Sequence, residues 1–152
     1  MKPPKVFGKI IYFCGYPLFR LLIKGTTRAY VVVRVKDELL VTQNWLGFQK
    51  KWRLPGGGVH DGEAPAHAVL RELAEEVGVR TNEQNLRLLG EFTSEFNYQY
   101  YLFELMLPEK PELTVDEREI LRAQFMPMAD IANAYVSEEI RNFLKLVKKD
   151  PI

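Results

Sequence analysis

Hydrophobic residues along the chain are concentrated in short runs rich in valine, isoleucine, leucine and aromatic side chains. Such runs, when bounded by polar residues, glycine or proline, are typical of β-strands. Strands are predicted at residues 30–35, 39–43, 51–54, 86–93, 98–107 and 119–126. The first two are separated by Lys36, Asp37 and Glu38, which predicts a hairpin. The fifth has apolar residues on both faces, so we expect both of its faces to be covered.

A different spacing, with apolar positions recurring three or four residues apart, predicts a helix at residues 65–77. At about 100° per residue, its apolar residues lie within about 60° of one line and must pack against another element. These residues are Ala66, Val69, Leu70, Leu73 and Val77. Pro65 suits a first helical turn, and Asp61 or Gly62 is expected to cap the start. Gly78 is expected to end the helix in a left-handed conformation.

A second helix is predicted after Ser137, and a short turn or helix is expected at residues 128–135. The order of strands, one helix, further strands and a final helix predicts an α/β fold. In that fold a mixed β-sheet is covered by helices on both faces. The chain has 152 residues, 47% of them hydrophobic, which is enough for residues 1–152 to form a single domain. Residues 1–28 are expected to form an apolar N-terminal arm packed on it.

Composition narrows the expected partners and location. A formal net charge of +1 provides no broad field for nucleic acid, so nucleic acid is not expected as a partner. The one cysteine, Cys14, precludes an internal disulfide and fits a reducing, cytoplasmic compartment. The apolar run 10–23 is too short to cross a bilayer, so no transmembrane segment is expected. Peripheral membrane contact or a homodimer interface is the alternative role for this run.

Three carboxylates of the predicted 65–77 helix lie away from its apolar stripe. Glu72, Glu75 and Glu76 fall about 180° to 280° from the first apolar position, so they are predicted to share the solvent-exposed face. Like charges at this spacing repel one another. A solvated helix face is the ordinary interpretation of such residues. Hard oxygen donors without a nearby histidine or cysteine ligand also suit Mg²⁺ or Mn²⁺, rather than zinc.

The spacing of nine positions goes beyond that of an acidic helix face. A glycine is followed after five residues by Glu, and after seven more by Arg-Glu-aliphatic-x-Glu-Glu-x-Gly-aliphatic. The nine residues are Gly57, Glu63, Arg71, Glu72, Leu73, Glu75, Glu76, Gly78 and Val79. Chance would produce this pattern on the order of once in ten million chains of this length. The chain therefore resembles the MutT-like Nudix hydrolases, and its pattern matches their signature, the Nudix box, without departure.

This resemblance implies an α/β/α sandwich and a reaction. The reaction is divalent-metal-dependent hydrolysis of a pyrophosphate bond in a nucleoside diphosphate derivative, by attack of activated water on phosphorus. The implied metal ligands are Glu72, Glu75, Glu76 and the backbone carbonyl of Gly56. Mg²⁺ is the expected cofactor, and Mn²⁺ is an alternative.

Other roles follow from the same resemblance. Glu72 is also the candidate base that activates water, and Arg71 is expected to orient a neighbouring carboxylate. Glu63 is expected either to hold its loop or to contact metal. A catalytic carboxylate from outside the box is common in the family. Glu119 is the first candidate and Glu117 the second, and an acidic loop that serves solubility is an equal alternative.

The segment 44–53 combines aromatic and basic residues, and Trp45, Lys51 and Arg53 are its candidates for substrate binding. An aromatic face can stack on a base and cations can hold phosphates, although packing in the core or anchoring a loop is the alternative. The expected partner is a small nucleotide: a nucleoside triphosphate, ADP-ribose or a nucleotide sugar. A non-catalytic Nudix-fold module that binds a nucleotide without cleaving it is the alternative of a different class.

Overall fold

A computed structural model describes residues 26–45 and 50–149. The strands in these ranges are β1 (Thr27–Val35), β2 (Glu38–Asn44), β3 (Gly56–Gly58), β4 (Leu86–Thr93), β5 (Gln99–Met106) and β6 (Ile120–Pro127). The helices are α1 (Pro65–Val77), α2 (Met128–Ile131) and α3 (Glu138–Lys149), with a 3-10 turn at Glu83–Asn85. The predicted 65–77 helix is confirmed, and most predicted strand ends lie within a few residues of those observed.

The strands form one mixed sheet in the order β4-β5-β1-β2-β6. β1 is parallel to β5, whereas β4–β5, β1–β2 and β2–β6 are antiparallel. The predicted hairpin between β1 and β2 is confirmed, with Lys36 at a φ of 55° in its turn. β3 pairs with the first half of β1, where Gly56 faces Tyr30. The centre of the sheet is therefore β1, which pairs with β2, β3 and β5.

Apolar side chains form one core on each face of the sheet. The core beneath α1 includes Val31, Val33, Leu40, Val69, Leu73 and Phe103. The core beneath α3 includes Tyr30, Val32, Leu102, Ile131, Ile140 and Phe143. Successive β1 residues alternate between the two cores because side chains alternate along a strand. The predicted α/β/α sandwich with a mixed sheet is confirmed.

The segment before α1 differs from its prediction. The predicted strand 51–54 is reduced to isolated bridges, Thr42 with Arg53 and Trp52 with Val136. The glycines Gly56–Gly58 that follow form β3. A β-carbon on Gly56 would lie 2.2 Å from the carbonyl oxygen of Ala29, so the missing side chain permits this close pairing with β1. Such a tolerance for close backbone contact is not visible in the sequence pattern around these glycines.

Of the two predicted ends of α1, the C-terminal end is confirmed and the N-terminal cap is not. Gly78 is left-handed, with a φ of 75°, and its N–H donates to the carbonyl of Ala74 at 3.1 Å. The predicted cap at Asp61 or Gly62 is wrong, because Ala64 is the N-cap residue and provides no side-chain hydrogen bond. Pro65 needs no acceptor for its backbone nitrogen, so the first turn has one fewer donor to satisfy.

The predicted apolar arm lies largely outside the described residues, as do Cys14 and the run 10–23. β1 begins at Thr27, so the last two positions of the 1–28 segment lie within that strand. Among residues 26–45 and 50–149, no helix is long and apolar enough to cross a membrane.

Leu73 on α1 provides a test of the helix–sheet packing. It is fully buried, whereas Leu70 on the same predicted stripe is only half-buried. Leu73→Ala is expected to lower the free energy of unfolding by about 2–5 kcal/mol because it leaves a cavity beneath the sheet. Leu70→Ala is the matched control and should cost clearly less. Urea denaturation measures both, and equal losses would contradict the packing described for α1.

Candidate metal and catalytic site

Glu76 lies on the side of α1 that faces β3. Its Oε2 atom accepts a hydrogen bond from the backbone N–H of Gly56 at 3.0 Å, and the residue is 5% exposed. The prediction that Glu76 shares the exposed face with Glu72 and Glu75 is wrong. A helical wheel describes an isolated helix, whereas β3 packs against α1 and covers this position.

Burial raises the pKa of the Glu76 carboxyl to about 8. The hydrogen bond from Gly56 and the positive charge of Arg53 act in the opposite direction, while the negative charges of Glu72 and Glu119 raise the pKa further. The carboxylate form of Glu76 therefore lacks sufficient counter-charge where it lies. A cation bound beside it would favour the ionised form.

Glu72 packs directly against the backbone of β3. A β-carbon on Gly57 would lie 2.5 Å from its Oε1 atom and 2.6 Å from its carboxyl carbon. Such distances are shorter than any tolerable contact, so a side chain at Gly57 would displace the carboxylate. Two adjacent glycines of β3 thus contact two carboxylates of α1. Gly56 donates its N–H to Glu76, and the missing side chain of Gly57 leaves room for Glu72.

Arg71 connects the acidic residues of the site. Its Nε and Nη2 atoms each donate to a Glu63 oxygen at 2.9 Å, and Nη2 also donates to the carbonyl of Gly58 at 3.0 Å. Its Nη1 atom donates to Glu72 at 2.9 Å and to Glu75 at 3.4 Å. The hydrogen bonds that Arg71 donates to Glu63, the largest contribution, and to Glu72 raise the Arg71 pKa, while burial acts to lower it. The guanidinium supplies counter-charge and restricts where the Glu72 carboxylate can lie.

Glu63 is occupied by groups of the chain itself. Besides the two bonds from Arg71, it accepts the backbone N–H of His60 at 3.0 Å. These bonds, with that from Arg71 the largest contribution, lower the Glu63 pKa to about 2. Such contacts belong to the loop-holding role expected for Glu63, and they join the loop before α1 to the middle of the helix.

The segment 116–119, in which Arg118 stands among three acidic residues, lies beside the end of α1. The N–H of Asp116 donates to the backbone carbonyl of Glu76 at 3.1 Å. Glu119 is exposed, and its negative charge is close enough to Glu76 to contribute to the raised pKa of that carboxyl. The structure thus brings Glu119 near the carboxylates of α1, although forty-three positions separate it from Glu76 along the chain.

The candidate substrate-binding residues lie in two places. The Trp45 ring is joined to the 116–119 segment, because Nε1 donates to the Glu117 carbonyl at 2.9 Å. Lys51 lies over the Tyr135 ring, with Nζ 5.6 Å from its centroid, and burial lowers the Lys51 pKa. Arg53 Nε lies 3.9 Å from Glu139. Burial acts to lower the Arg53 pKa, but Glu139 together with Tyr30 and Tyr98 more than offsets burial, so the pKa is raised.

Two further charged residues beside Arg53 were not singled out from the sequence. Arg28 of β1 donates to the Tyr30 hydroxyl at 3.3 Å and lies over the Tyr98 ring. Glu139 is 2% exposed at the start of α3. An acidic residue in a first helical turn ordinarily complements the helix dipole, and no local pattern distinguishes Glu139 from Glu138 in this respect.

Carboxylate oxygens are suitable ligands for a hard divalent cation. In this structure, however, the carboxylates of the site do not point to one common position. Within the described ranges, no three histidine, cysteine, aspartate or glutamate side chains are close enough together to hold one ion. Arg71 draws Glu72 and Glu75 towards itself, while Gly56 holds Glu76. Glu75 is 61% exposed and contacts Arg71. The insufficiently balanced charge of Glu76 is the observation that favours a cation here.

The fold and the carboxylate-bearing helix define a class of protein. The NUDIX domain model matches residues 24–147, and the chain belongs to the Nudix family.

Individual relatives agree with this assignment. An RNA pyrophosphohydrolase from Nitratiruptor sp. is 29% identical over 98 residues, covering 53% of this chain and 61% of that protein. The NUDIX domain of Shewanella oneidensis NrtR, solved with ADP ribose, superposes with a TM-score of 0.70 at 15% identity, covering 84% of this chain and 89% of that one. A bifunctional NMN adenylyltransferase/ADP ribose pyrophosphatase from Francisella tularensis, solved with AMP and Mn, gives 0.70 at 16% identity, covering 95% and 48% respectively. At these identities the two structures show the shared fold alone.

Gly57 and Gly58 provide a matched pair of substitutions at this site. Gly57→Ala places a methyl group against the Glu72 carboxylate, whereas a β-carbon on Gly58 meets no atom within 4 Å. We expect Gly57→Ala to weaken Mn²⁺ binding, measured by isothermal titration, by about tenfold or more, as expected when a supporting contact of a metal ligand is disrupted. Gly58→Ala should bind Mn²⁺ as the wild-type protein does. Equal affinities of the two variants would exclude this role for Gly57.

The raised pKa of Glu76 predicts how stability depends on pH without metal. The folded state holds this proton more tightly than the unfolded state, so the stabilisation is complete below pH 4.5 and is lost as pH rises through about 8. At about 1.4 kcal/mol for each pH unit, the loss is on the order of 4 kcal/mol. Urea denaturation in EDTA should show this fall in the free energy of unfolding between pH 5 and 9.

Glu76→Gln is the comparison for this measurement, because its side chain stays neutral and the fall should largely disappear. The lowered pKa of Glu63 acts in a separate range, since its contribution is lost only as pH falls from 4.5 towards 2. A wild-type curve that rises between pH 5 and 8 would contradict the burial described for Glu76.

Proposed function

We propose that this chain hydrolyses a pyrophosphate bond of a nucleotide in a reaction that requires Mg²⁺ or Mn²⁺. The main support is the placement of Glu72 and Glu76 against the glycines of β3, with Arg71 joining Glu63, Glu72 and Glu75. The fold thereby places the carboxylates of the complete Nudix box on α1 and on the loop that precedes it. The chain spans 61% of the length of the RNA pyrophosphohydrolase it matches, so the activity rests on the site rather than on that relative's name.

Glu72, Glu75, Glu76 and the carbonyl of Gly56 are the groups proposed to hold the cation. Bound Mg²⁺ would neutralise charge on the pyrophosphate and lower the pKa of water. The role of Glu76 in this proposal is to provide a carboxylate whose ionisation depends on the cation. Glu75, which is mostly exposed, is able to turn inward from Arg71.

The remaining roles are assigned to residues around these carboxylates. Glu72 accepts the proton of the attacking water, and Arg71 orients the Glu72 carboxylate for that task. Glu119 is the proposed outside carboxylate, because it lies near Glu76, and Glu117 is the second candidate. Lys51 and Arg53 bind phosphate oxygens, and the exposed face of Trp45 stacks on a base.

The proposed substrates are a nucleoside triphosphate, ADP-ribose or a nucleotide sugar. ADP ribose in the NrtR structure and AMP in the Francisella structure are consistent with nucleotide-sized ligands. An RNA carrying a 5′-triphosphate is a second candidate, because the Nitratiruptor relative is an RNA pyrophosphohydrolase. The net charge of +1 is the observation against it.

A single domain and a cytoplasmic location are also proposed, the second from Cys14 alone. A homodimer through the N-terminal apolar segment stays a prediction.

The test is turnover by purified protein with Mg²⁺ or Mn²⁺. The panel comprises nucleoside di- and triphosphates, ADP-ribose, nucleotide sugars, dinucleoside polyphosphates and a 5′-triphosphorylated RNA. Glu72→Gln is expected to lower kcat by about a hundredfold to ten-thousandfold, since it removes the proposed base. His67→Ala, on an exposed position of the same helix, is the control and should retain full activity.

The proposal fails if the wild-type protein releases no phosphate, pyrophosphate or nucleoside monophosphate from any member of the panel. Tight nucleotide binding by calorimetry without turnover in the presence of metal would favour the non-catalytic binding module instead. Activity that survives Glu72→Gln at the wild-type level would place the chemistry elsewhere.

A further inference from the structure

We infer that Trp45 is a positioning residue that holds the acidic turn 116–119, and with it Glu119, beside the carboxylates of α1. This inference rests on the proposed function and adds to it a residue that acts through Glu119. It differs from the stacking role proposed for Trp45, because it concerns the nitrogen edge of the indole ring and not its face.

Trp45 contacts the turn through two of its own atoms. The indole Nε1 donates to the carbonyl of Glu117 at 2.9 Å, and the backbone N–H donates to the carbonyl of Glu119 at 3.1 Å. Trp45 directly follows β2, whose last residue, Asn44, pairs with Ile120 at the start of β6. The turn is therefore fixed to the end of the sheet on one side.

On its other side the turn is fixed to the helix that bears the carboxylates. The N–H of Asp116 donates to the carbonyl of Glu76 at 3.1 Å. The Asp116 carbonyl accepts the N–H groups of Glu119 and Ile120 at 3.1 and 2.9 Å, and its carboxylate accepts Arg118 Nη2 at 2.7 Å. A short hydrogen-bonded turn thus extends from α1 to Trp45 and carries Glu119 between the two attachments.

Electrostatic repulsion explains why such an attachment matters. Glu119 and Glu76 carry like charges when both are ionised, and Glu72 adds a third negative charge nearby. An exposed acidic turn in this field is pushed away from α1. The Trp45 hydrogen bond to Glu117 opposes that displacement. Its loss should therefore reduce the fraction of time that Glu119 spends beside the site.

Trp45→Phe separates the two roles of this residue. It removes the N–H donor while retaining an aromatic face for stacking. We expect kcat to fall about threefold to tenfold, the usual effect of losing one hydrogen bond, with KM nearly unchanged. The substrate is the panel nucleotide that the wild-type protein hydrolyses fastest. Urea denaturation checks the fold, and Trp45→Tyr, which also keeps an aromatic face without the indole N–H, replaces Trp45→Phe if that variant fails to fold.

A double-mutant cycle with Glu119→Gln tests whether Trp45 acts through Glu119. We expect Glu119→Gln to lower kcat, and Trp45→Phe to have less than about a twofold further effect in that background. Glu117→Gln is the matched control, because it neutralises the adjacent side chain but keeps the backbone carbonyl that accepts Trp45. In that background Trp45→Phe should retain its full effect.

Three results would overturn the inference while the wild-type protein remains active. They are an unchanged kcat in Trp45→Phe, an equal fall with and without Glu119, and a rise in KM at constant kcat, which would assign Trp45 to substrate stacking alone. A wild-type protein without turnover on the whole panel would overturn the proposed function and this inference together.

Discussion

The close approach of β3 to α1 is the contact on which the candidate site depends. Gly56 donates its N–H to Glu76, and Gly57 leaves the space that the Glu72 carboxylate fills. β3 itself is held by β1, at a distance that a side chain on Gly56 would prevent. The central strand thus positions β3, and β3 positions two acidic side chains of the helix. A larger residue at either glycine would alter strand pairing or carboxylate geometry.

The same approach creates an electrostatic problem that the surrounding residues only partly relieve. Arg71 balances Glu63, Glu72 and Glu75 but makes no hydrogen bond with Glu76 among those described. Burial, and the nearby charges of Glu72 and Glu119, keep the pKa of Glu76 high. A site in which a buried carboxylate lacks sufficient counter-charge is suited to bind a cation and, through it, an anionic substrate. The insufficiently balanced charge of Glu76 therefore accounts both for the predicted loss of stability at high pH and for the proposed binding of a cation.

Particular elements show how far the sequence could be interpreted. The 65–77 helix, its left-handed end at Gly78 and strand β4 were predictable, because each depends on the periodicity or backbone preference of adjacent residues. The 51–54 strand was wrong, since a strand needs a partner along its length, and within the described part of the chain only Thr42 and Val136 provide isolated bridges. The cap was also wrong: Ala64 occupies that position, and the loop is held instead by Glu63 and Arg71, eight residues apart.

Long-range contacts account for the site features that could not be predicted. The sequence predicted which carboxylates lie on the helix, but not that Glu76 is covered, because β3 covers it only after pairing with β1. The resemblance suggested Glu119, but its attachment to Trp45 joins residues more than seventy positions apart. Arg28, Arg53 and Glu139 likewise come from three separate segments. No local pattern reports such proximity, since it depends on how β1, β2 and α3 pack.

The sequence by itself determined the family, the helix that bears the carboxylates and the type of cation they suit, because these depend on residue identity at fixed short spacing. The tertiary structure alone decided which carboxylate is buried, which is paired with Arg71 and which outside acid is near. Those properties arise from burial and from electric fields, and both depend on groups that meet only when the sheet has formed.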